Sequence, residues 1–236
     1  MYLSVADVAS LFGVPERDVY QWIHEDGLPV ERVDGTFRVD QVELLEWATL
    51  RRRQVSPALF RLSAVDQQDD PARLDRALAA GTVLRGLKAT SKEQLLAQMV
   101  AEVPLSEAIS RPTLVELLLA REALGTTAVG DGIAIPHPRF PLLLPQVQPS
   151  VSVAFLDESI DYGAADAQRV HTLFLLVTPT MSLHLELLSR LASALTDPMF
   201  RAVVSMQPTG RELIDAAHDL MLRQAATSLV EAEKHG

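Results

Sequence analysis

The 236-residue chain contains no cysteine, which excludes both a disulfide framework and a thiolate metal site. It has no apolar run of bilayer-spanning length, and its first residues lack the basic-then-apolar pattern of a secretory leader; a cytoplasmic location is the expectation. A surplus of positive charge is also missing. The formal net charge is −10, which argues against broad attachment to nucleic acid or anionic membranes. The chain has neither a His-x-x-x-His spacing nor a cluster of carboxylates, so no metal or other cofactor is expected. Its glycine-rich loop is not followed by Gly-Lys-Ser/Thr and is no nucleotide cradle. No internal repeat is present. What the chain does have is 48 % hydrophobic composition, enough for a substantial core in one large domain or two modest ones.

Residues 1–53 carry a pattern of their own. Ser4 with Asp7 caps a first helix, Gly13 ends it, and Pro15 opens a second with Val19, Trp22 and Ile23 turned inward. Two strand-like segments flank Asp34-Gly35, a strong hairpin signal, and Asp40 with Glu43 starts a third helix carrying Val42, Leu45 and Trp47. Helix, turn, helix, hairpin and helix predict a small winged helix-turn-helix. Its electrostatics do not favour DNA: six arginines stand against ten acidic residues, a net −4. Arg17, Gln21, His24 and Arg38, with Arg51 to Arg53, are the residues that would form a narrow nucleic-acid stripe; the alternative is a protein-docking or dimerising module, with the three arginines a solvated helix end.

Residues 54–71 are polar and turn-prone and read as a linker, with a short helix possible over 57–62. From residue 72 to about 226, helical and buried-strand patterns alternate, predicting an α/β layered sandwich. A helix through Leu78 leads to a strand over Thr82–Leu87. A Thr90–Glu93 capping box starts the next helix, and Ser110 with Pro112 another that ends near Arg121 and Glu122. Ser150–Leu156 and Val170–Val177 read as buried strands separated by an acidic turn at Asp157-Glu158. The proline-broken segment 140–149 reads as an apolar lip. Ser182–Leu195 reads as an amphipathic helix with His184 in its first turn, and Thr209 with Glu212 boxes the last long helix, expected to fray after about Ala226. His171 is expected to be a structural strand histidine, and His24 and His218 to lie at the surface.

Chemistry concentrates in Arg121–Arg139, read R-E-A-L-G-T-T-A-V-G-D-G-I-A-I-P-H-P-R. Ile133-Ala134-Ile135 has the look of a buried strand that Pro136 cannot extend, which puts His137 at a strand end near the surface. Gly125, Gly130 and Gly132 permit a loop that turns several N–H groups toward an anion. Such a loop beside a neutral, nucleophilic imidazole suits a phosphoryl group, with Arg121 and Arg139 as counter-charges. The alternatives are an ordinary polar histidine and an ordinary turn.

This run resembles the phosphorylation-site signature of the enzyme IIA components of the bacterial phosphotransferase system, of the mannitol, fructose and nitrogen-regulatory type. The resemblance is carried by Arg121, Glu122, Gly125, Thr127, Gly130, Gly132 and Ile133 to His137, and by His184 opening a later helix. It implies that His137 accepts a phosphoryl group from a phosphohistidine carrier protein, that His184 orients the group, that Arg121 and Arg139 offset its charge, and that Thr127 fixes the ring or donates to an oxygen. The nitrogen-regulatory subtype fits the loop best and implies a regulatory carrier signalling through its phosphorylation state to a target protein. Pro138 removes an N–H beside the histidine, and Asp131 adds a negative charge; both are expected to weaken an anion site. Residues 1–53 likewise resemble excisionase and MerR-like DNA-binding modules, which implies the alternative of a DNA-binding regulator with a sensory or degenerate enzyme IIA domain.

Overall fold

Local chemistry sets the first elements. The computed structural model describes residues 2–33, 35–40, 43–44, 47–48, 51, 70, 72–107, 109–139 and 148–234, and the chain divides into one unit over Met1–Asp70 and another over Pro71–Gly236. In the first, strand β1 (Tyr2–Ser4) runs into helix α1 (Val5–Phe12), where the Ser4 hydroxyl accepts the Asp7 amide at 3.2 Å and the Asp7 carboxylate accepts the Ser4 amide at 2.8 Å. These bonds hold the Asp7 carboxyl below its ordinary range. Gly13 ends α1 in the left-handed conformation, and helix α2 (Glu16–His24) follows Pro15. Strands β2 (Glu31–Val33) and β3 (Thr36–Asp40) form the hairpin, and Val8, Val19, Trp22, Val39, Leu44 and Trp47 close the core. Strand β1 was not anticipated; it pairs antiparallel with β3 to give the order β1-β3-β2. The Glu43 amide bonds to Asp40, as the cap requires, while Val42, Leu45 and the linker over 54–69 lie outside the described residues.

The second unit contains a five-stranded mixed sheet. Its elements are α3 (Leu74–Ala80), β4 (Val83–Leu87), α4 (Lys92–Glu102), α5 (Arg111–Leu124), β5 (Ala128–Gly130), β6 (Ile133–Ala134), β7 (Ser150–Ile160), β8 (Val170–Val177), α6 (Met181–Thr196), α7 (Pro198–Ser205) and α8 (Gly210–Lys234). The strand order is β4-β7-β8-β6-β5, parallel for β4/β7 and β6/β8 and antiparallel for β7/β8 and β5/β6. Val151, Val153, Phe155, Phe174 and Leu176 face one apolar layer with α3, α6, α7 and α8. Ala154, Leu156, Leu173, Leu175 and Val177 face the other with α4 and α5. Strands covered on both faces read as unbroken apolar runs, which is why β7 and β8 are so hydrophobic. The result is the expected α/β layered sandwich.

Several details differ from the sequence reading. Helix α4 is capped by Ser91, whose hydroxyl accepts the Gln94 amide, and not by a Thr90–Glu93 box; Thr90 instead bonds the Gln94 side chain. Asp157 and Glu158 lie within β7, which runs on to pair Ile160 with Val170 beyond an irregularity in register. Helix α7, capped by Asp197, was not expected, and the backbone of α8 stays helical to Lys234. Gly81, where α3 meets the sheet, is needed for contact: a Cβ there would stand 2.1 Å from the Val151 carbonyl oxygen. No described helix is long and apolar enough to cross a membrane.

Candidate functional site

Strand β6 delivers the central histidine. Ile135 donates its N–H to the Thr127 carbonyl at 2.9 Å, and the Pro136 carbonyl accepts the Leu176 amide at 3.0 Å, so the chain stays tied to neighbours on both sides up to the residue before His137. The imidazole is buried, 4 % exposed, and not near the surface as expected of a strand end. Burial follows from long-range packing: the ring of His184, itself 1 % exposed, lies 5.1 Å away centroid to centroid at an interplanar angle of 51°. His184 sits in the first turn of α6, whose N-cap is Thr180, and its Nδ1 lies 3.2 Å from the buried Thr178 hydroxyl.

The orientation of His137 is chemically informative. Its Nδ1 lies 2.7 Å from the Ile135 carbonyl oxygen. A carbonyl can only accept, so Nδ1 carries the proton and, in the neutral ring, Nε2 carries the lone pair.

The loop before β5 is anchored from α5. Arg121, 4 % exposed, donates from Nη1 to the Gly125 carbonyl at 2.8 Å. Glu122 accepts the Thr127 amide at 3.0 Å and also the Thr127 hydroxyl, while Lys92 lies 3.3 Å from its second oxygen. The Thr127 hydroxyl thus donates to Glu122, which anchors the loop. Burial, reinforced by the adjoining Glu122 carboxylate, pushes the Tyr162 phenol far above its ordinary pKa. Lys92 lies over the Tyr162 ring at 4.7 Å. Sequence reasoning had not singled out Thr178, Lys92 or Tyr162, and it gave Glu122 no role; only Glu122, inside the signature run, offered a signal.

Two of the three loop glycines do not gather around His137. Gly130 and Gly132 bracket the β5–β6 turn, whereas His137 follows the opposite end of β6. Gly132, at φ 71°, is required because a Cβ would stand 2.4 Å from the His171 ring. Asp131 occupies the same turn, at the other end of β6 from His137, and pairs with Arg201 at 2.5 Å. Arg139 is exposed, beside residues 140–147, which lie outside the described set. His171 bonds its neighbour Thr172 at 2.8 Å in β8, and His218, exposed as expected, meets the buried Asp75 at 3.0 Å. Among the described residues no group of three or more His, Cys, Asp or Glu side chains could hold a metal.

In residues 1–70 the predicted stripe carries acidic partners. Arg17 pairs with Asp18 at 3.4 Å, Gln21 with Glu25 at 2.7 Å, and Arg51 with Asp26 at 3.7 Å. Arg38 acts electrostatically on Asp7, and His24 packs edge-on to Phe37.

A layered α/β sandwich with two buried histidines brought together from a strand end and a helix N-terminus defines the class: an enzyme IIA domain. The chain belongs to the family described as phosphoenolpyruvate-dependent sugar phosphotransferase system, EIIA 2, which residues 77–217 match, and residues 2–52 match a helix-turn-helix domain family. It is 35 % identical over 154 residues to a nitrogen regulatory protein of Pseudomonas aeruginosa, covering 63 % of this chain and 96 % of that one. It is 38 % identical over 123 residues to a nitrogen regulatory protein of Bradyrhizobium diazoefficiens, covering 51 % and 78 %. The crystal structure of nitrogen regulatory protein IIA-Ntr from Neisseria meningitidis matches with a TM-score of 0.51 at 26 % identity, over 61 % of this chain and 98 % of that one.

Proposed function

We propose that this protein is a regulatory phosphoryl carrier of the phosphotransferase system, taking a phosphoryl group on His137 from a phosphohistidine carrier protein and signalling to a target protein by its phosphorylation state. The observation that carries the reading is the His137–His184 pair, with His137 Nδ1 bound to the Ile135 carbonyl. The Nε2 lone pair attacks the phosphorus, the donor's P–N bond breaks with its electrons returning to the donor imidazole, and a new N–P bond forms at His137. His137 keeps its Nδ1 proton throughout, and the Ile135 carbonyl stabilises the positive charge that develops on the ring. With the Thr178 hydroxyl donating to His184 Nδ1, the His184 Nε2–H is available for a phosphoryl oxygen, and the α6 N-terminus adds favourable potential. Arg121 and Arg139 supply further positive potential.

The test is incubation with a phosphorylated histidine carrier and detection of acid-labile label. Label on the wild type, absent from His137→Ala and reduced in His184→Ala, supports the carrier; no label from several such donors removes it.

The match of residues 2–52 to a helix-turn-helix family favours a second reading, a DNA-binding regulator whose enzyme IIA domain is the sensor. The acidic partners along α2 count against easy phosphate contact. Mobility-shift measurements at controlled salt decide it: no sequence-specific complex leaves the module as a protein contact.

A further inference from the structure

We infer that Glu122 is a positioning residue that sets the tautomer of His137, by drawing away the one backbone N–H that would otherwise compete for the Ile135 carbonyl. The inference rests on the reading of His137 as the phosphoryl acceptor and names a residue on which that site depends.

Strands β5 and β6 pair antiparallel in a defined register. Ala128 faces Ala134, which places Thr127 opposite Ile135 one step further along the pair. In a regular antiparallel ladder, residues facing each other in the closely bonded position exchange two bonds, each N–H going to the other's carbonyl. One of these is made, from Ile135 N–H to the Thr127 carbonyl at 2.9 Å. The reciprocal one is replaced. The Thr127 N–H donates to the Glu122 carboxylate at 3.0 Å, and the Ile135 carbonyl receives His137 Nδ1 at 2.7 Å. The ladder is interrupted at one bond, and both groups released by the interruption are satisfied, one by a carboxylate and one by the imidazole.

The two substitutions depend on each other. A carbonyl that already holds a backbone N–H offers a poorer second acceptor, and a ring that loses its Nδ1 acceptor has less reason to keep its proton there. The opposite neutral tautomer would put the proton on Nε2 and remove the lone pair needed for attack on phosphorus. Glu122 is suited to the task by its supports. Its second oxygen meets Lys92 at 3.3 Å, the Thr127 hydroxyl reinforces the amide bond on its first oxygen, and Arg121, the preceding residue, fixes the Gly125 carbonyl within the same loop. The path from carboxylate to ring is therefore Glu122, Thr127, Ile135, His137, every link a hydrogen bond seen in the structure.

Two conservative substitutions separate positioning from mere charge pairing. Glu122→Gln keeps the reach of the acceptor but loses the charge facing Lys92. Glu122→Asp keeps the charge but withdraws the acceptor by one methylene, roughly 1.5 Å. Both are read on unphosphorylated, full-length protein by 15N shifts of the His137 ring, where a pyrrole-like Nδ1 and a pyridine-like Nε2 report the wild-type tautomer, with thermal melts to establish folding. The expected result is a wild-type ring in Glu122→Gln and a mixture of tautomers in Glu122→Asp, with phosphoryl transfer slowed roughly ten- to a hundredfold only in the latter. Any other pattern of ring shifts in folded protein overturns the inference. If the wild type accepts no label yet the ring shifts follow the expected pattern, the carrier reading fails while the role of Glu122 in setting the ring stands.

Discussion

His137 hydrogen-bonds the carbonyl of Ile135, two residues before it in the chain, at 2.7 Å. The contact is local in sequence, yet it exists because strand β6 is held on both sides and cannot turn that carbonyl elsewhere. The chemistry of the ring is thereby decided by the backbone, and the first prediction follows from it.

The phosphoryl group is expected on Nε2 of His137 and not on Nδ1. Two-dimensional 31P–1H or 15N spectra of the labelled protein distinguish the two isomers, and a Nδ1 adduct would contradict the hydrogen bond to Ile135.

His184 is held by the Thr178 hydroxyl at 3.2 Å. Thr178→Val, which keeps the shape and removes the hydroxyl, is expected to slow phosphoryl transfer roughly tenfold while His184→Ala slows it roughly a hundredfold or more. Rapid-quench single-turnover rates with a fixed donor concentration give both numbers. Equal rates for Thr178→Val and the wild type would mean that the hydroxyl has no part in orienting the ring.

Asp131, in the β5–β6 turn at the far end of the strand from His137, forms an ion pair with Arg201 of α7. Asp131→Asn is accordingly expected to leave the transfer rate within about twofold of wild type, since a partly exposed pair contributes little. A large gain in rate would instead mean that the aspartate repels the incoming phosphoryl group.

Asp75 links the start of α3 to α8 through Arg73 at 2.5 Å and His218 at 3.0 Å. Burial alone would raise its pKa, but these hydrogen bonds outweigh it and leave the group at about 2. The folded pKa lies below the unfolded one, so the stabilisation is complete above about pH 4 and is lost as the pH falls toward 2. Asp75→Asn is expected to cost about 2 kcal/mol at neutral pH and to flatten the stability profile between pH 2 and 4. Urea melts of the two proteins across that range test it, and parallel pH profiles would exclude the effect.

The parts legible in the sequence are those whose physics is local. Ser4 with Asp7, Gly13, and Ser110 with Pro112 are capping signals complete within a few residues, and each stands where expected. The apolar runs of β7 and β8 announced a sheet covered on both faces. Strand β1 was invisible because three residues carry no periodicity and its partner β3 lies beyond two helices. The site divides in the same way. His137 and His184 stood out, and the structure brings them together, but burial of His137, the pairing of Asp131 with Arg201 and the engagement of Thr127 by Glu122 all depend on contacts formed only when distant segments or a loop close up. Residue types told what chemistry was available; only the fold told which atoms were already committed.

The bond from Leu176 to the Pro136 carbonyl brings the sheet's own lattice to the doorstep of His137. A ring mounted on so stiff a base has little room to swing when it gains or loses about two negative charges. On this reading the protein behaves as a stamped token and not as a spring: its message is a change of field at a fixed place, legible only to a reader that comes close enough to feel it.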